Sequence, residues 1–153
     1  MSVAFSYKLD GTPCTIEIDG ETVSLWHSGH YDTLDELVTA TWSLVAHGTD
    51  ETVEFCDDLD CSRLKLHPKG TRLALRAVEW KGTFASENDP SGRVIFEAEC
   101  RLRTFAGAVL SATQLLLKTH GLEGYGDIMS FSRYRFPLGR MEMLKQALRD
   151  GKA

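Results

Sequence analysis

Basic side chains are almost missing from the front of this chain. Residues 1 to 62 contain one, Lys8, against thirteen Asp and Glu, a sum of 1 − 13 = −12. A stretch of that sign repels nucleic acid and anionic membrane and attracts cationic surfaces. Long apolar runs are missing too. The longest, around Ala106 to Leu117, is interrupted by Ser111, Thr113 and Gln114, and is too short and too polar to cross a bilayer. The opening residues Met1 to Lys8 hold neither a basic n-region nor an apolar h-region, so no signal peptide is expected and a cytoplasmic location is the default. Internal repeats and low-complexity segments are also absent. There are four cysteines, Cys14, Cys56, Cys61 and Cys100, and in a cytosolic chain these are expected to be small buried hydrophobes.

What is present is an ordinary globular composition with its charges sorted by position. Residues 63 to 153 hold sixteen Lys/Arg and nine Asp/Glu, 16 − 9 = +7, so the two parts return the net charge of −5. A length of 153 residues with 42% hydrophobic content fits one domain over 1–153, able to bury a core without metal or disulfide staples.

The first third reads as a β-meander. Val3 to Lys8, Cys14 to Ile18 and Glu21 to Trp26 are strand-like, with turns at Asp10-Gly11 and Asp19-Gly20. A helix follows. Thr33-Leu34-Asp35-Glu36 has the pattern of a capping box, and Leu34, Leu37, Val38, Thr41, Leu44 and Val45 recur at helical spacing up to Gly48, the C′ residue. Four more strands are predicted at Thr52–Asp57, Arg63–His67, Arg72–Trp80 and Arg93–Cys100. A tight turn is expected at Pro68-Lys69-Gly70 and an exposed, mobile loop over 81–92. The period then switches. Leu102, Phe105, Ala106, Val109, Leu110, Thr113, Leu116 and Leu117 trace one face of a helix ending at Gly121. A helical turn follows, and a last helix starts at Phe136-Pro137 with Leu138, Met141, Leu144, Lys145 and Leu148 inward. The expected fold is α+β: an antiparallel sheet of about seven strands, one inserted helix, and C-terminal helices packed on one face.

No cluster completes a catalytic motif. Asp57, Asp58 and Asp60 gather at one hairpin tip beside Glu54. They read first as a solvated loop tip and second as a contact for Lys/Arg of a partner, whereas the spacing and glycine of a calcium loop are missing. Cys56 and Cys61 flank that tip with His67 nearby. Without a second cysteine pair a zinc site is not expected, and two free thiols are. His27, His30 and Asp32 resemble part of a metal or acid/base site, but nothing supplies the remaining ligands. Gly121, Gly124 and Gly126 follow a helix rather than a strand, which excludes a phosphate cradle. In Arg133-Tyr134-Arg135-Phe136 the aromatics are expected to pack the C-terminal helices while the arginines reach acidic neighbours. Neither nucleic acid, membrane, metal nor cofactor is expected.

One order of motifs resembles a known group. Ser6-Tyr7-Lys8-Leu9-Asp10-Gly11, the helix with Asp32, Leu34, Leu37 and Val38, then Gly124-Tyr125-Gly126, Phe136-Pro137 and Leu138 to Leu148 are similar to small bacterial proteins that include immunity proteins of contact-dependent growth inhibition and related polymorphic toxin systems. The middle departs from that pattern, with Cys56-Asp57-Asp58-Leu59 where relatives often carry Glu-Pro. The resemblance implies a cytoplasmic inhibitor that binds a cognate toxin with a basic surface, such as a nuclease domain. The acidic half suits that role, with Glu54, Asp57, Asp58 and Asp60 as first contacts and Asp32, Asp35 and Glu36 as second. Two other classes stay open. One is a small-molecule binding or regulatory domain with a pocket lined by Trp26, Trp42 or Trp80. The other is a metal-dependent enzyme using His27 and His30. Homo-oligomerisation through opposite charges is compatible with each.

Overall fold

The structure is a computed structural model and describes residues 2–9, 12–28, 31–57, 60–81, 92–129 and 134–151. Its elements in order are β1 (Val3–Ser6), β2 (Cys14–Ile18), β3 (Glu21–Leu25), α1 (Thr33–His47), β4 (Glu51–Cys56), β5 (Asp60–Lys69), β6 (Arg72–Lys81), β7 (Arg93–Arg101), α2 (Leu102–Ile128) and α3 (Leu138–Arg149). The α+β class and the seven strands agree with the sequence reading. The expected Asp10-Gly11 turn, His30, Asp58, Arg133 and the 81–92 loop apart from its ends lie outside the described residues.

The strands do not form one sheet, which corrects the expected architecture. They form two antiparallel sheets, β1-β2-β3 and β4-β5-β6-β7. Within each sheet, neighbours in sequence are neighbours in space. Between β3 and β4 the chain leaves for the 15 residues of α1, and β4 begins at an outer edge of the second sheet. It is β7, at that sheet's other end, that approaches β2 and β3, without pairing with them. Short connections favour hairpins, whereas a helical excursion leaves the next strand free to start a new ladder.

Local chemistry accounts for most boundaries. Asp19 at φ 50° and Gly20 at φ 89° turn β2 into β3, as a two-residue hairpin requires. The Asp19 carboxylate also accepts from the Ser2 amide at 2.8 Å, tying β1 to that turn. The β5–β6 turn is Gly70-Thr71, so Pro68 and Lys69 belong to the strand rather than to the turn expected there. Gly48, at φ 65°, closes α1 by donating to the Leu44 carbonyl. Gly121 interrupts α2 at φ 69°, ψ 173°, and helix resumes as far as Ile128.

One hydrophobic cluster joins both sheets and all three helices. Every α1 position read as inward-facing is buried. On α2 the buried set includes Leu102, Phe105, Ala106, Val109, Thr113 and Leu116. α3 differs from the expected inward set: Met141, Leu144 and Ala147 are buried, Lys145 and Leu148 are half-buried, and Leu138 is exposed. α1 packs on β4, α2 on β1, β6 and β7, and α3 on α1 and α2. The second sheet therefore keeps one face against the core and one face outward. Arg63, Lys65 and His67 of β5 point out, while Ser62, Leu64 and Leu66 point in. No helix among the described residues is long and apolar enough to cross a membrane.

Candidate functional site

Two of the acidic residues picked out from the sequence meet, Glu36 of α1 and Glu54 of β4. β4 is an edge strand, and the first turn of α1 lies beside it. The amide of Glu54 donates to Glu36 Oε1 at 2.9 Å, so a carboxylate from the helix fills a hydrogen-bonding position on the sheet edge. This replaces the expected capping box. The helix starts at Thr33 with Asp32 as its N-cap residue and no side-chain cap hydrogen bond. Thr33 is buried, and Glu36 turns to β4 rather than back to the helix start. Burial raises the pKa of Glu36. The Glu54 amide pulls it down again, while the carboxylates of Glu54, Asp32 and Asp35 push it up. Asp32 is raised by burial and by Asp35, with the Asp35 amide acting the other way.

Because the folded pKa of Glu36 lies above its unfolded value, the folded chain holds that proton more firmly. The resulting stability is fullest below the unfolded pKa and is lost as pH rises through the folded one. Glu36→Gln keeps an acceptor for the Glu54 amide and removes the charge. It is expected to leave stability at neutral pH unchanged or slightly higher and to flatten its fall with pH. Glu36→Ala removes the acceptor and is expected to cost about 1 kcal/mol. Urea unfolding of both variants at several pH values checks this, and equal behaviour of the two would rule out the edge-filling role.

The remaining candidates are partly engaged. Glu54 Oε1 accepts from Arg63 Nε at 3.1 Å, and the Arg63 guanidinium lies over Trp80 with Cζ 4.8 Å from the ring centroid. Asp57 and Asp60 hold the hairpin end: the Asp57 amide donates to the Asp60 carbonyl at 3.0 Å and Asp57 Oδ1 accepts from the Asp60 amide at 2.7 Å. Arg93 pairs with Glu79, and on the outward sheet face Arg76 pairs with Glu97, and Lys69 and Arg72 with Glu99. Those cations are drawn to acids of their own half of the chain. A hollow of about 670 Å³ on that face is bounded by such charges, with Ala74 and Ala98 among its lining.

Cys56 and Cys61 sit directly opposite across β4 and β5 and form a disulfide, where free thiols were expected. The cause is register: the hairpin that carries Asp57 and Asp60 also stacks the two cysteines that flank them. With both sulfurs bonded to each other, and His67 turned to Asp50, the zinc reading has no ligands left. Such a bond persists in an oxidising compartment and opens in a reducing one. It closes a loop over a sequence separation of 5, so breaking it is expected to cost about 2 kcal/mol by chain entropy. Urea midpoints with and without dithiothreitol measure this, and an unchanged midpoint would mean the hairpin ladder alone holds the tip.

Buried groups near the first turn of α1 were not anticipated from the sequence. The Tyr7 ring stacks on His27, centroids 4.4 Å apart and planes 18° from parallel. Burial raises the Tyr7 pKa, and Tyr125, Cys14 and Asp32 add to the effect while the Thr33 hydroxyl opposes it. Tyr125 is buried edge-on against Phe136, 5.4 Å between centroids. Asp32 Oδ1 is buried with no hydrogen-bond partner among the described residues. The only foreshadowing was that Tyr7 and Tyr125 stand in the short motifs that carry the family resemblance. The other two thiols are inert at neutral pH, since burial pushes Cys100 up to about 11 and Cys14 higher. No group of three or more His, Cys, Asp or Glu able to hold a metal occurs among the described residues. Trp26, Trp42 and Trp80 line neither the outward-face hollow nor the smaller groove beside α2. No protein-family model, curated protein or solved structure matches the chain.

Proposed function

We propose that this chain is an inhibitory binding protein of the immunity type, which neutralises a cognate toxin with a basic surface by stoichiometric occlusion in the cytoplasm. The observation that carries the reading is the meeting of Glu36 with Glu54 on the β4 edge, where the Glu54 amide donates to Glu36 at 2.9 Å, with Asp32 and Asp35 near enough to raise the Glu36 pKa. Carboxylates that raise one another's pKa are costly to hold together, and a cationic partner relieves that cost. Asp57 and Asp60 extend the surface along the hairpin. The first 62 residues carry twelve more negative than positive charges, which suits long-range attraction of a basic nuclease cleft. In a reducing cytoplasm Cys56 and Cys61 would act as a dithiol pair, and the β4–β5 ladder would hold the hairpin.

The test is co-expression with the C-terminal domain of a large toxin encoded beside this gene. Protection of the cell and a one-to-one complex on size-exclusion chromatography are expected. Absence of both complex and protection would overturn the reading.

A further inference from the structure

The helix break at Gly121 creates a second feature, independent of the acidic surface. With φ 69° and ψ 173°, Gly121 takes a backbone conformation essentially reserved for glycine. The helix beyond it brings Ile128 to the same groove as Leu115, Leu116, Thr119 and His120, which precede the break. The segment leaving β1, Tyr7 to Leu9, forms the opposite wall. The groove holds about 370 Å³, within the range of small-molecule sites. Leu115 is 62% exposed and Ile128 46%, an apolar surface left open to water.

The lining has a definite chemistry. Tyr7, Leu9, Leu115, Leu116 and Ile128 are apolar or aromatic, and the polar members are Lys8, Thr119 and His120. Among the described residues no carboxylate lines it, in a chain whose acids outnumber its Lys and Arg. Lys8 is the one basic residue of the first 62, and it stands at this groove. An ammonium beside an apolar trough, with a hydroxyl and an imidazole on the helix wall, is complementary to an anionic head on an aliphatic body. We infer that this groove binds a small amphipathic monoanion, namely a free medium-chain carboxylate. Its alkyl chain lies against Leu115, Leu116 and Ile128, and its carboxylate meets Lys8.

The experiment titrates the full chain with decanoate, followed by isothermal calorimetry and by the methyl NMR signals of Leu115 and Ile128. Saturable one-to-one binding with a dissociation constant below about 1 mM is expected. Decyltrimethylammonium, with the same body and the opposite head, is expected to bind at least about tenfold more weakly. Lys8→Glu and Leu115→Asp each alter an exposed side chain and are expected to weaken decanoate by about tenfold or more, with folding checked by circular dichroism. Leu138→Asp, an exposed apolar position on α3, serves as the control and should leave binding unchanged. Lack of saturation, equal binding of the cationic probe, or indifference to Lys8→Glu would each overturn the inference. None of these results touches the toxin-binding proposal, because the assay contains no partner protein.

Discussion

Phe105→Ala is expected to lower the stability of this protein by about 3–5 kcal/mol, the range for emptying a fully buried phenylalanine site. Phe105 is completely buried on α2 and meets Phe5 of β1 edge-on, with centroids 6.3 Å apart and planes at 87°. Its ring lies where the first sheet is joined to the long helix. A domain of this size has only about 5–15 kcal/mol in total, so one truncation removes a large share. With a urea slope of about 1–3 kcal/mol per molar, the midpoint should move by more than 1 M, or the protein should fail to fold. Leu115→Ala, on the same helix but 62% exposed, should stay within about 0.5 kcal/mol of the parent. Similar shifts for both variants would contradict the packing of α2 on β1.

Neutralising the acidic surface should act on binding rather than on folding. In the variant D35N/E54Q/D57N/D60N each side chain keeps its shape and an acceptor oxygen, so Asp57 can still take the Asp60 amide. Association with the toxin domain at low salt is expected to slow by about tenfold to a hundredfold, since steering by a field of one sign is worth that much. Dissociation should change less. The parent's association rate should fall steeply as salt is raised through about 0.1 M, where the screening length is about 10 Å, and the variant's should not. Stopped-flow fluorescence on both proteins reads these rates. If the variant associates as fast as the parent, the acidic edge is not what the partner meets. Glu36 is left out of the set because it holds the β4 edge, and altering it would mix stability with binding.

The legible parts of the fold were those governed by near neighbours in the chain. Alternation located the strands, and Asp19-Gly20 and Gly48 marked a turn and a helix end because both need positive φ. Leu34 to Val45 announced the buried face of α1 through the 3.6-residue period. The misreadings share a cause. Thr33 and Glu36 matched a local capping pattern, but a β4 amide 18 residues away offered Glu36 a better use. Cys56 and Cys61 read as loose thiols because their pairing depends on the β4–β5 register. Tyr7, His27, Asp32 and Tyr125 are scattered along the chain, and no spacing rule connects them. The candidate site was half legible: the carboxylates stood out by charge alone, while their convergence did not.

By itself the sequence determined the class of the protein, the buried face of α1, the seven strands, and the division of charge between its two halves. These follow from periodicity, turn chemistry and composition, each of which acts over a few residues. Only the tertiary structure decided that the strands split into two sheets, that Glu36 of α1 reaches the β4 edge, and that Lys8 stands at an apolar groove beside the break at Gly121. Those outcomes depend on which distant surfaces bury one another, and core packing settles that for the whole chain at once.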